Sequence, residues 1–213
     1  MARHVFIDNS NVYGVAQRVA ESRDVWEHWT SIRIHYKSLF ELIEGQDVVT
    51  KCLAGSVPPD NDVLWQTARG LGYTTDLLHR VEADDGRLIE QGVDEILHLK
   101  IANAILDYKP PQTLVIVSGD GRVSQCGTSF PAQAERALKW KWDVEVWSWS
   151  DGLTKQYNRL CRLYAGRVTV NTLDPYYRSI TFTKEGTYEL PGGGTIKSAG
   201  RVVAPLKAAR KAA

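Results

Sequence analysis

The sequence predicts an α/β protein with a three-layer, Rossmann-like fold, in which helices cover both faces of a central, mainly parallel sheet. Two short apolar runs rich in β-branched residues, at 4–7 and 113–118, have the composition of strands that are buried on both faces. Segments with helical spacing of apolar residues alternate with these and other strand-like runs. Because strands that alternate with helices form parallel βαβ units, we expect right-handed crossovers and two helical layers.

The individual elements are predicted as follows. Strands are expected at 4–7, 47–56, 73–79, 113–118 and 143–149. Helices are expected at 31–45, 60–72, 93–108 and 130–141, where apolar residues recur at helical spacing. These elements place one core domain at residues 1–165. Residues 166–213 are predicted to form a small β-rich extension with turns at 184–186 and 192–194, followed by a short basic tail.

The composition indicates a protein without a general affinity for polyanions. Its 26 lysine and arginine residues and 25 aspartate and glutamate residues give a formal net charge of +1, so binding to nucleic acid would depend on local patches of charge. Three widely spaced cysteines fit neither a disulfide framework nor a paired zinc site. No apolar run approaches the roughly 20 residues that span a bilayer, and a strand pattern begins at once. We therefore expect no membrane segment, no signal peptide and an intracellular, cytoplasmic location.

Three acidic residues stand where predicted strands end or a predicted helix begins. Asp8 follows the first strand, Asp120 follows the strand at 113–118, and Asp94 stands at the start of the helix at 93–108. If the two strands are neighbours, the three carboxylates converge at the edge of the sheet where open α/β proteins bind ligands. Converging carboxylates repel one another, and Mg²⁺ or Mn²⁺ is the usual ion that neutralises them. Such an ion polarises a phosphoryl oxygen and activates a water, which predicts phosphodiester hydrolysis.

Each of these acids also has a purely structural explanation. Asp8 could cap a loop, Asp120 could be a turn residue between two glycines, and Asp94 could stabilise a helix N-terminus through the macrodipole. Their occurrence at three matching element ends favours a shared metal site over three unrelated roles.

Four motifs extend the pattern in a fixed order. They are FIDNSNVYG at 6–14, QGVDEILHLKIA at 91–102, VSGDGR at 117–122 and VEVWSWS at 144–150. Over about residues 3–165 the sequence resembles the NYN domains of the PIN-like ribonuclease superfamily. The resemblance implies a Rossmann-like PIN fold and metal-dependent endoribonuclease activity. It assigns metal binding and catalysis to Asp8, Asp94 and Asp120. It also implies a substrate pocket lined by Asn9, Asn11, Ser118 and Gly119.

Arg122 departs from the family pattern. Members of the family commonly carry a second acid two residues after the aspartate that follows the strand, in motifs such as SGDGDF or SGDSDF. An arginine there could weaken a second metal position, bind a substrate phosphate, or mark an inactive RNA-binding relative. Asp151 is a candidate fourth acid, although a role at a helix N-terminus is the better explanation for it.

A second candidate contact with RNA lies at Lys139 and Trp140, in the stretch KWKW, where cations and aromatic rings alternate. Such a pattern suits stacking on unpaired bases beside a neutralised backbone. We expect at least half of the tryptophans at 140, 142, 147 and 149 to lie in the core, with Trp140 and Trp142 as the better candidates for exposure. His98, four residues after Asp94, is expected to be packed or hydrogen-bonded rather than to bind a metal.

Two functions from different classes are compatible with these patterns. The first is a Mg²⁺- or Mn²⁺-dependent endoribonuclease that hydrolyses single-stranded or loop RNA. The second is a catalytically weak or inactive RNA-binding or scaffold module of the same fold, which the arginine at 122 and the C-terminal extension favour. A nucleotide-binding or phosphatase-like protein ranks last, because the sequence has no P-loop. The extension is also a candidate surface for a homo-oligomer or a protein partner.

Overall fold

The structure is a computed structural model that describes residues 1–24, 28–56, 62–78, 81–82, 88–89, 92–190 and 193–206. Its strands are β1 (Arg3–Asp8), β2 (Ile32–Ile34), β3 (Val48–Ser56), β4 (Thr74–Leu78), β5 (Val81–Glu82), β6 (Leu88–Ile89), β7 (Thr113–Val117), β8 (Asp143–Ser148), β9 (Val168–Thr172), β10 (Thr181–Thr183), β11 (Gly186–Glu189) and β12 (Thr195–Ser198). Its helices are α1 (Asn9–Arg23), α2 (Tyr36–Glu44), α3 (Asp62–Gly70), α4 (Val93–Asp107), α5 (Phe130–Lys139), α6 (Gln156–Leu163) and α7 (Tyr177–Ile180).

A six-stranded sheet forms the centre of the molecule, in the order β4-β3-β1-β7-β8-β9. All of its strand pairs are parallel. The predicted three-layer, Rossmann-like α/β fold is therefore confirmed. The strands β3, β4, β7 and β8 lie within four of the runs that the sequence predicts as strands, and β1 extends the predicted run 4–7 by one residue at each end. Among the described residues, no helix is long and apolar enough to cross a membrane.

Side chains of the central strands point alternately into two hydrophobic layers. One layer receives Val5, Ile7 and Val117 from the sheet and is covered by α1, α2, α3 and α7. The opposite layer receives Phe6 and Ile116 and is covered by α4, α5 and α6. Because both faces of the sheet are buried, its central strands are continuous apolar runs instead of alternating apolar and polar residues.

Helix α1 follows β1 without a connecting loop, and the sequence pattern did not predict it. The polar stretch 8–11 has the composition of a turn, but Asp8 caps the helix by accepting a 3.0 Å hydrogen bond from the backbone N–H of Asn11. Five buried apolar residues recur at helical spacing beyond it, namely Val12, Val15, Ala16, Val19 and Ala20. The helical signal is therefore present, although the capping residues resemble a loop.

The predicted helix at 31–45 is wrong in its first part. Ile32–Ile34 forms β2, which pairs with β10 in an antiparallel ladder, and the helix begins only at Tyr36. Ile34 fits the helical spacing of the residues that follow it. However, pairing with residues about 150 positions later in the sequence favours an extended conformation for these β-branched residues.

The central sheet extends past residue 165. Strand β9 pairs with β8 over the register Val144↔Val168 to Ser148↔Thr172, so the predicted boundary between 165 and 166 falls before the last strand of the sheet. Beyond it, β11 and β12 form the predicted C-terminal hairpin. Residues 207–213, which include most of the predicted basic tail, lie outside the described residues.

A buried ionic contact fastens the C-terminal segment to the end of α1. The Asp24 carboxylate accepts hydrogen bonds from Arg201 Nη2 at 3.1 Å and from the Tyr177 hydroxyl at 2.6 Å. The side chains of Arg201 and Asp24 are only 16% and 6% exposed. Arg201 also donates to the backbone carbonyl of Thr181 at 2.9 Å. This network joins the first helix to the last described segment of the chain.

We predict that Arg201→Met lowers the free energy of unfolding by about 3 kcal/mol, because it leaves the Asp24 carboxylate buried without its cation. Urea unfolding of the variant and the parent measures the change. Lys197→Met, at an exposed position of β12, is the matched control and should leave stability nearly unchanged. A loss of less than about 1 kcal/mol in Arg201→Met would show that the ion pair does not hold the segment in place.

Candidate functional site

The candidate site lies at the point of the central sheet where the order of the strands reverses. From β1, the chain places β3 on one side and β7 on the other, so the crevice beyond the carboxyl ends of β1 and β7 is a topological switch point. Asp8 is the last residue of β1, and Ser118 directly follows β7. The Ser118 hydroxyl donates a 3.0 Å hydrogen bond to Asp8 Oδ2. Strands β1 and β7 are therefore neighbours, which is the condition under which the sequence analysis expected the acids to converge. The hydrogen bond from Ser118 joins Asp8 to the loop that carries Asp120.

Asp8 has a structural role and also faces the crevice. Its Oδ1 atom caps α1, its Oδ2 atom accepts from Ser118, and the residue is only 3% exposed. A carboxylate that accepts hydrogen bonds in its charged form is held in one orientation. Asp8 can therefore cap α1 and line the cleft at the same time, so the two explanations for this residue are compatible.

The loop that follows β7 is fixed between two other segments. Asn11 accepts a 3.0 Å hydrogen bond from the Gly119 backbone N–H, and the Gly119 carbonyl accepts one of 2.9 Å from the N–H of Thr154. A Cβ atom on Gly119 would collide with the carbonyl of Gly152 and the hydroxyl of Ser148. Glycine is therefore needed at 119 because the chain between β8 and α6 approaches it closely.

Asp120 forms an ion pair with Arg122. Its Oδ1 atom accepts from the Arg122 backbone N–H at 2.7 Å, and its Oδ2 atom accepts from Arg122 Nε at 2.9 Å and lies 2.8 Å from Nη2. The carboxylate side chain is 11% exposed, whereas the arginine side chain is 85% exposed. The guanidinium thus covers the outer side of a largely buried carboxylate and is itself open to solvent.

Asp94 completes the acidic wall. It lies with Glu95 in the first turn of α4, whose N-terminus opens into the same crevice. The partial positive charge of a helix N-terminus stabilises carboxylates there, so Asp94 also stands where it can stabilise α4 through the helix macrodipole. Asp8, Asp94 and Asp120 all line one cleft of about 930 Å³. Its other lining residues are Ser10, Asn11, Gly14, Val15, Arg18, Gly92, Val93, Glu95, Gly119, Gly121–Cys126 and Asp151–Thr154.

The acids create a negative field in and below the cleft. The pKa of Arg122 is raised by its hydrogen bond to Asp120 and by the charge of Asp120, with smaller contributions from Asp94 and Asp8. The pKa of Tyr157, which is buried below the cleft, is raised by burial first and then by the charges of Asp120 and Asp8. Burial alone would raise the pKa of Asp120, but its hydrogen bonds and its attraction to Arg122 lower it. The cleft therefore favours a bound cation, and Arg122 supplies one.

The donor atoms of the cleft fit a hard divalent cation in their chemistry. Mg²⁺ and Mn²⁺ prefer carboxylate and other oxygen ligands, which Asp8, Asp94 and Asp120 offer. The buried Tyr157 hydroxyl and both ring nitrogens of His98 lie without a hydrogen-bond partner in the described structure. The described residues do not, however, contain a preassembled group of three acidic, histidine or cysteine side chains at metal-binding distances. A metal held by all three acids would therefore require their side chains to rearrange.

Four of the residues predicted to contact the substrate do not line the cleft. Ser118 is fully buried and supports Asp8 from below. Asn9 accepts a hydrogen bond from the Tyr36 hydroxyl and does not line the cleft. Lys139 and Trp140 lie at the end of α5, next to the start of β8 and thus at the amino edge of the sheet. The cleft is at the opposite, carboxyl edge, so the structure does not bring these two residues to the acids.

The tryptophans and His98 mostly follow the expectations. Trp140 is 53% exposed, and Trp147 and Trp149 are buried in the core, as predicted. Trp142 is fully buried, so its predicted exposure is wrong, because the turn after α5 directs it into the layer covered by α4, α5 and α6. His98 is buried and packs edge to face on Phe130, with ring centroids 4.6 Å apart.

The sequence analysis named Asn11 but missed Gly14 and Arg18, the other α1 residues on the same side of the cleft wall. Asn11, Gly14 and Arg18 line the cleft from three positions that share one helical face. Once a helix is assigned to 9–23, this spacing alone places them together. Arg18 is exposed and is a second cation, after Arg122, at the mouth of the acidic cleft.

Comparisons with known proteins bear on the fold. No protein-family model and no curated protein matches the sequence. Among solved structures, the chain is similar to a protein of unknown function from Vibrio parahaemolyticus, with a TM-score of 0.56 and 16% sequence identity. The similarity covers 79% of this chain and 92% of that one. At this level of identity the likeness shows a shared α/β fold and carries no information about activity.

We predict that Arg122→Gln raises the pKa of Asp120, because it removes the charge of the guanidinium, which lowers this pKa. Because the pKa of Asp120 is lower in the folded protein than in the unfolded chain, its charged carboxylate stabilises the fold at pH values above the pKa of the unfolded state. This stabilisation is lost as the pH falls through the pKa of the folded state. In the variant the loss should begin at higher pH. Carboxyl ¹³C chemical shifts measured against pH report the pKa directly. Arg18→Gln removes a charge from the same cleft and should change the Asp120 pKa less; equal shifts in both variants would contradict a specific pair.

Proposed function

We propose that this protein is a divalent-metal-dependent ribonuclease that hydrolyses single-stranded or loop RNA. The observation that carries the proposal is that Asp8, Asp94 and Asp120, from three separate elements, line one cleft at the switch point of a parallel sheet. The resemblance of the surrounding motifs to NYN domains supports the same activity and the same three acids. The proposal extends to a Mg²⁺ or Mn²⁺ cofactor and to RNA as the substrate.

The side chains of the cleft have distinct proposed roles. Asp8, Asp94 and Asp120 hold the metal, and Ser118 and Asn11 fix the orientations of Asp8 and of the loop at Gly119. When bound, Mg²⁺ or Mn²⁺ polarises a phosphoryl oxygen and lowers the pKa of a water. Arg122 and Arg18 lie at the cleft mouth, where their charges can bind the phosphates beside the scissile bond. Arg122 would exchange the Asp120 carboxylate for a substrate phosphate.

We expect the purified protein to cleave labelled single-stranded RNA with Mn²⁺ and to stop when EDTA is added. Asp8→Asn and Asp120→Asn should each reduce the rate at least roughly 100-fold, because each removes a charge that contributes several kcal/mol through the metal. Asparagine keeps the capping ability of Asp8, so the fold should survive both changes.

The matched control is Asp107→Asn, an exposed acid at the far end of α4. It should cleave at the parent rate. Cleavage that continues in EDTA, or that survives both Asp8→Asn and Asp120→Asn, would exclude this mechanism.

A second candidate function is a catalytically weak or inactive RNA-binding or scaffold module. The observation that favours it is the ion pair between Arg122 and Asp120, which places a cation on the carboxylate that a metal would need. In this case the acidic cleft no longer binds a metal, and Arg122 neutralises the charge of Asp120. The two candidates differ in whether a divalent ion can displace the guanidinium.

Arg122→Asp restores the acid of the family pattern and separates the two candidates. If the protein is a weakened nuclease, the variant should bind Mn²⁺ more tightly and cleave faster, because a fourth carboxylate replaces a competing cation. An ion at about a hundred times its dissociation constant adds roughly 2.7 kcal/mol to stability, so thermal melts with EDTA and with excess Mn²⁺ detect the binding. An active parent that gains neither Mn²⁺ stabilisation nor rate from this change would remove the reason for the second candidate.

A further inference from the structure

The exposed sides of α5 and α6 carry the strongest local excess of positive charge on the layer that covers Phe6 and Ile116. Five basic residues are exposed on these two helices and at the start of α6, namely Arg136, Lys139, Lys155, Arg159 and Arg162. Glu135 is the only acid on the two helices. The local charge is therefore +4, whereas the whole chain carries +1, so the remainder carries −3. We call these five residues with Trp140 the α5–α6 surface.

One end of this surface begins at the candidate active site. Thr154, which precedes α6, lines the acidic cleft, and Gln156 donates a 2.9 Å hydrogen bond to the carbonyl of Gly121. Lys155, Arg159 and Arg162 follow at intervals of four and three residues, which places them along one side of the helix. They span about 10 Å along its axis. A row of cations thus leads away from the cleft.

The other end of the surface reaches Trp140. Arg167, in the turn after α6, donates to the carbonyls of Leu138 at 3.2 Å and Trp142 at 2.6 Å. These contacts fasten the turn after α6 to the turn after α5, which contains Trp140. The Trp140 side chain is exposed, unlike that of Trp142. The row of cations on α6 therefore runs toward the turn that carries an exposed aromatic side chain.

Glu135 orders the surface without neutralising it. Its carboxylate lies 3.3 Å from Lys139 Nζ and 4.0 Å from Arg159 Nη1, so one acid is shared by two bases. Both basic side chains remain 65% exposed. Each can exchange this weak contact for a phosphate, because exposed ion pairs contribute little to stability.

We propose that the α5–α6 surface binds the stretch of single-stranded RNA that lies next to the cleaved bond, from the cleft to Trp140. The proposal takes its occupant from the proposed ribonuclease function. The cations neutralise successive phosphates, and Trp140 stacks on an unpaired base. A single strand fits better than a duplex, since only unpaired bases offer a face to an exposed tryptophan. The surface gives Lys139 and Trp140 a role in RNA binding at a distance from the acids.

The test measures binding of a fluorescein-labelled 12-nucleotide RNA by fluorescence anisotropy in EDTA at several salt concentrations. Arg159→Gln/Arg162→Gln should weaken binding and reduce the magnitude of the slope of log K against log salt by about 1.4, for two phosphate contacts on a single strand. Lys37→Gln/Lys184→Gln removes the same charge from exposed positions on the opposite layer and should leave the slope unchanged. Equal slopes in the two double variants would overturn the proposal.

A second pair of variants tests stacking separately from charge. Trp140→Ala should weaken binding roughly 5- to 150-fold with no change in the salt slope, whereas Trp140→Phe should retain most of the affinity. Full affinity in Trp140→Ala, absence of binding by the parent, or equal binding of a duplex of the same sequence would each contradict the proposal. Because all measurements are made in EDTA, they do not depend on cleavage. A parent that binds as described but never cuts RNA would refute only the proposed nuclease activity.

Discussion

The parallel pairing of β1 with β7 is the constraint on which the rest of the site depends. The register Ile7↔Val117 brings the next residues of the two strands, Asp8 and Ser118, within hydrogen-bonding distance. That contact satisfies one oxygen of a buried carboxylate, and the cap of α1 satisfies the other. The same helix then presents Asn11 to the N–H of Gly119. A slip of one residue between the strands would turn every side chain of β1 to the opposite layer and separate these groups.

Arg122 supplies positive charge to this acidic cleft. Three carboxylates in one cleft need positive charge, and the guanidinium supplies it from a position only two residues after Asp120. Because the arginine side chain is largely exposed, solvent and salt weaken its attraction to the carboxylate. A divalent ion carries twice the charge and can bind several carboxylates at once. In the proposed function the Arg122–Asp120 pair therefore competes with a metal, and the two proposed candidates differ in the outcome of this competition.

Much of the fold, and the positions of the three acids, could be predicted from the sequence, because buried parallel strands are continuous apolar runs with sharp ends. Asp8 and Asp120 are located by those ends. The other strands depend on pairing between residues that are distant in sequence. The placement of single side chains depends on the residue at which a helix begins. Strand β2 exists through its pairing with β10, and β9 through its pairing with β8. Asn9 and Asn11 look equivalent in the motif, yet they are two residues apart in α1 and so face different neighbours.

The distribution of charge connects the two halves of the proposed function. An acidic cleft attracts cations but repels the phosphates of RNA, so in the proposed function an RNA strand must gain its affinity elsewhere. The α5–α6 surface starts at the cleft through Thr154 and Gln156, and carries its cations away from it on a rigid helix. Because Arg18 and Arg122 lie at the cleft mouth, positive charge borders the acids on both the α1 side and the β7 side. The proposed function, in which a nearly neutral chain binds a metal and a polyanion at adjacent sites, is compatible with this separation of opposite charges on the surface.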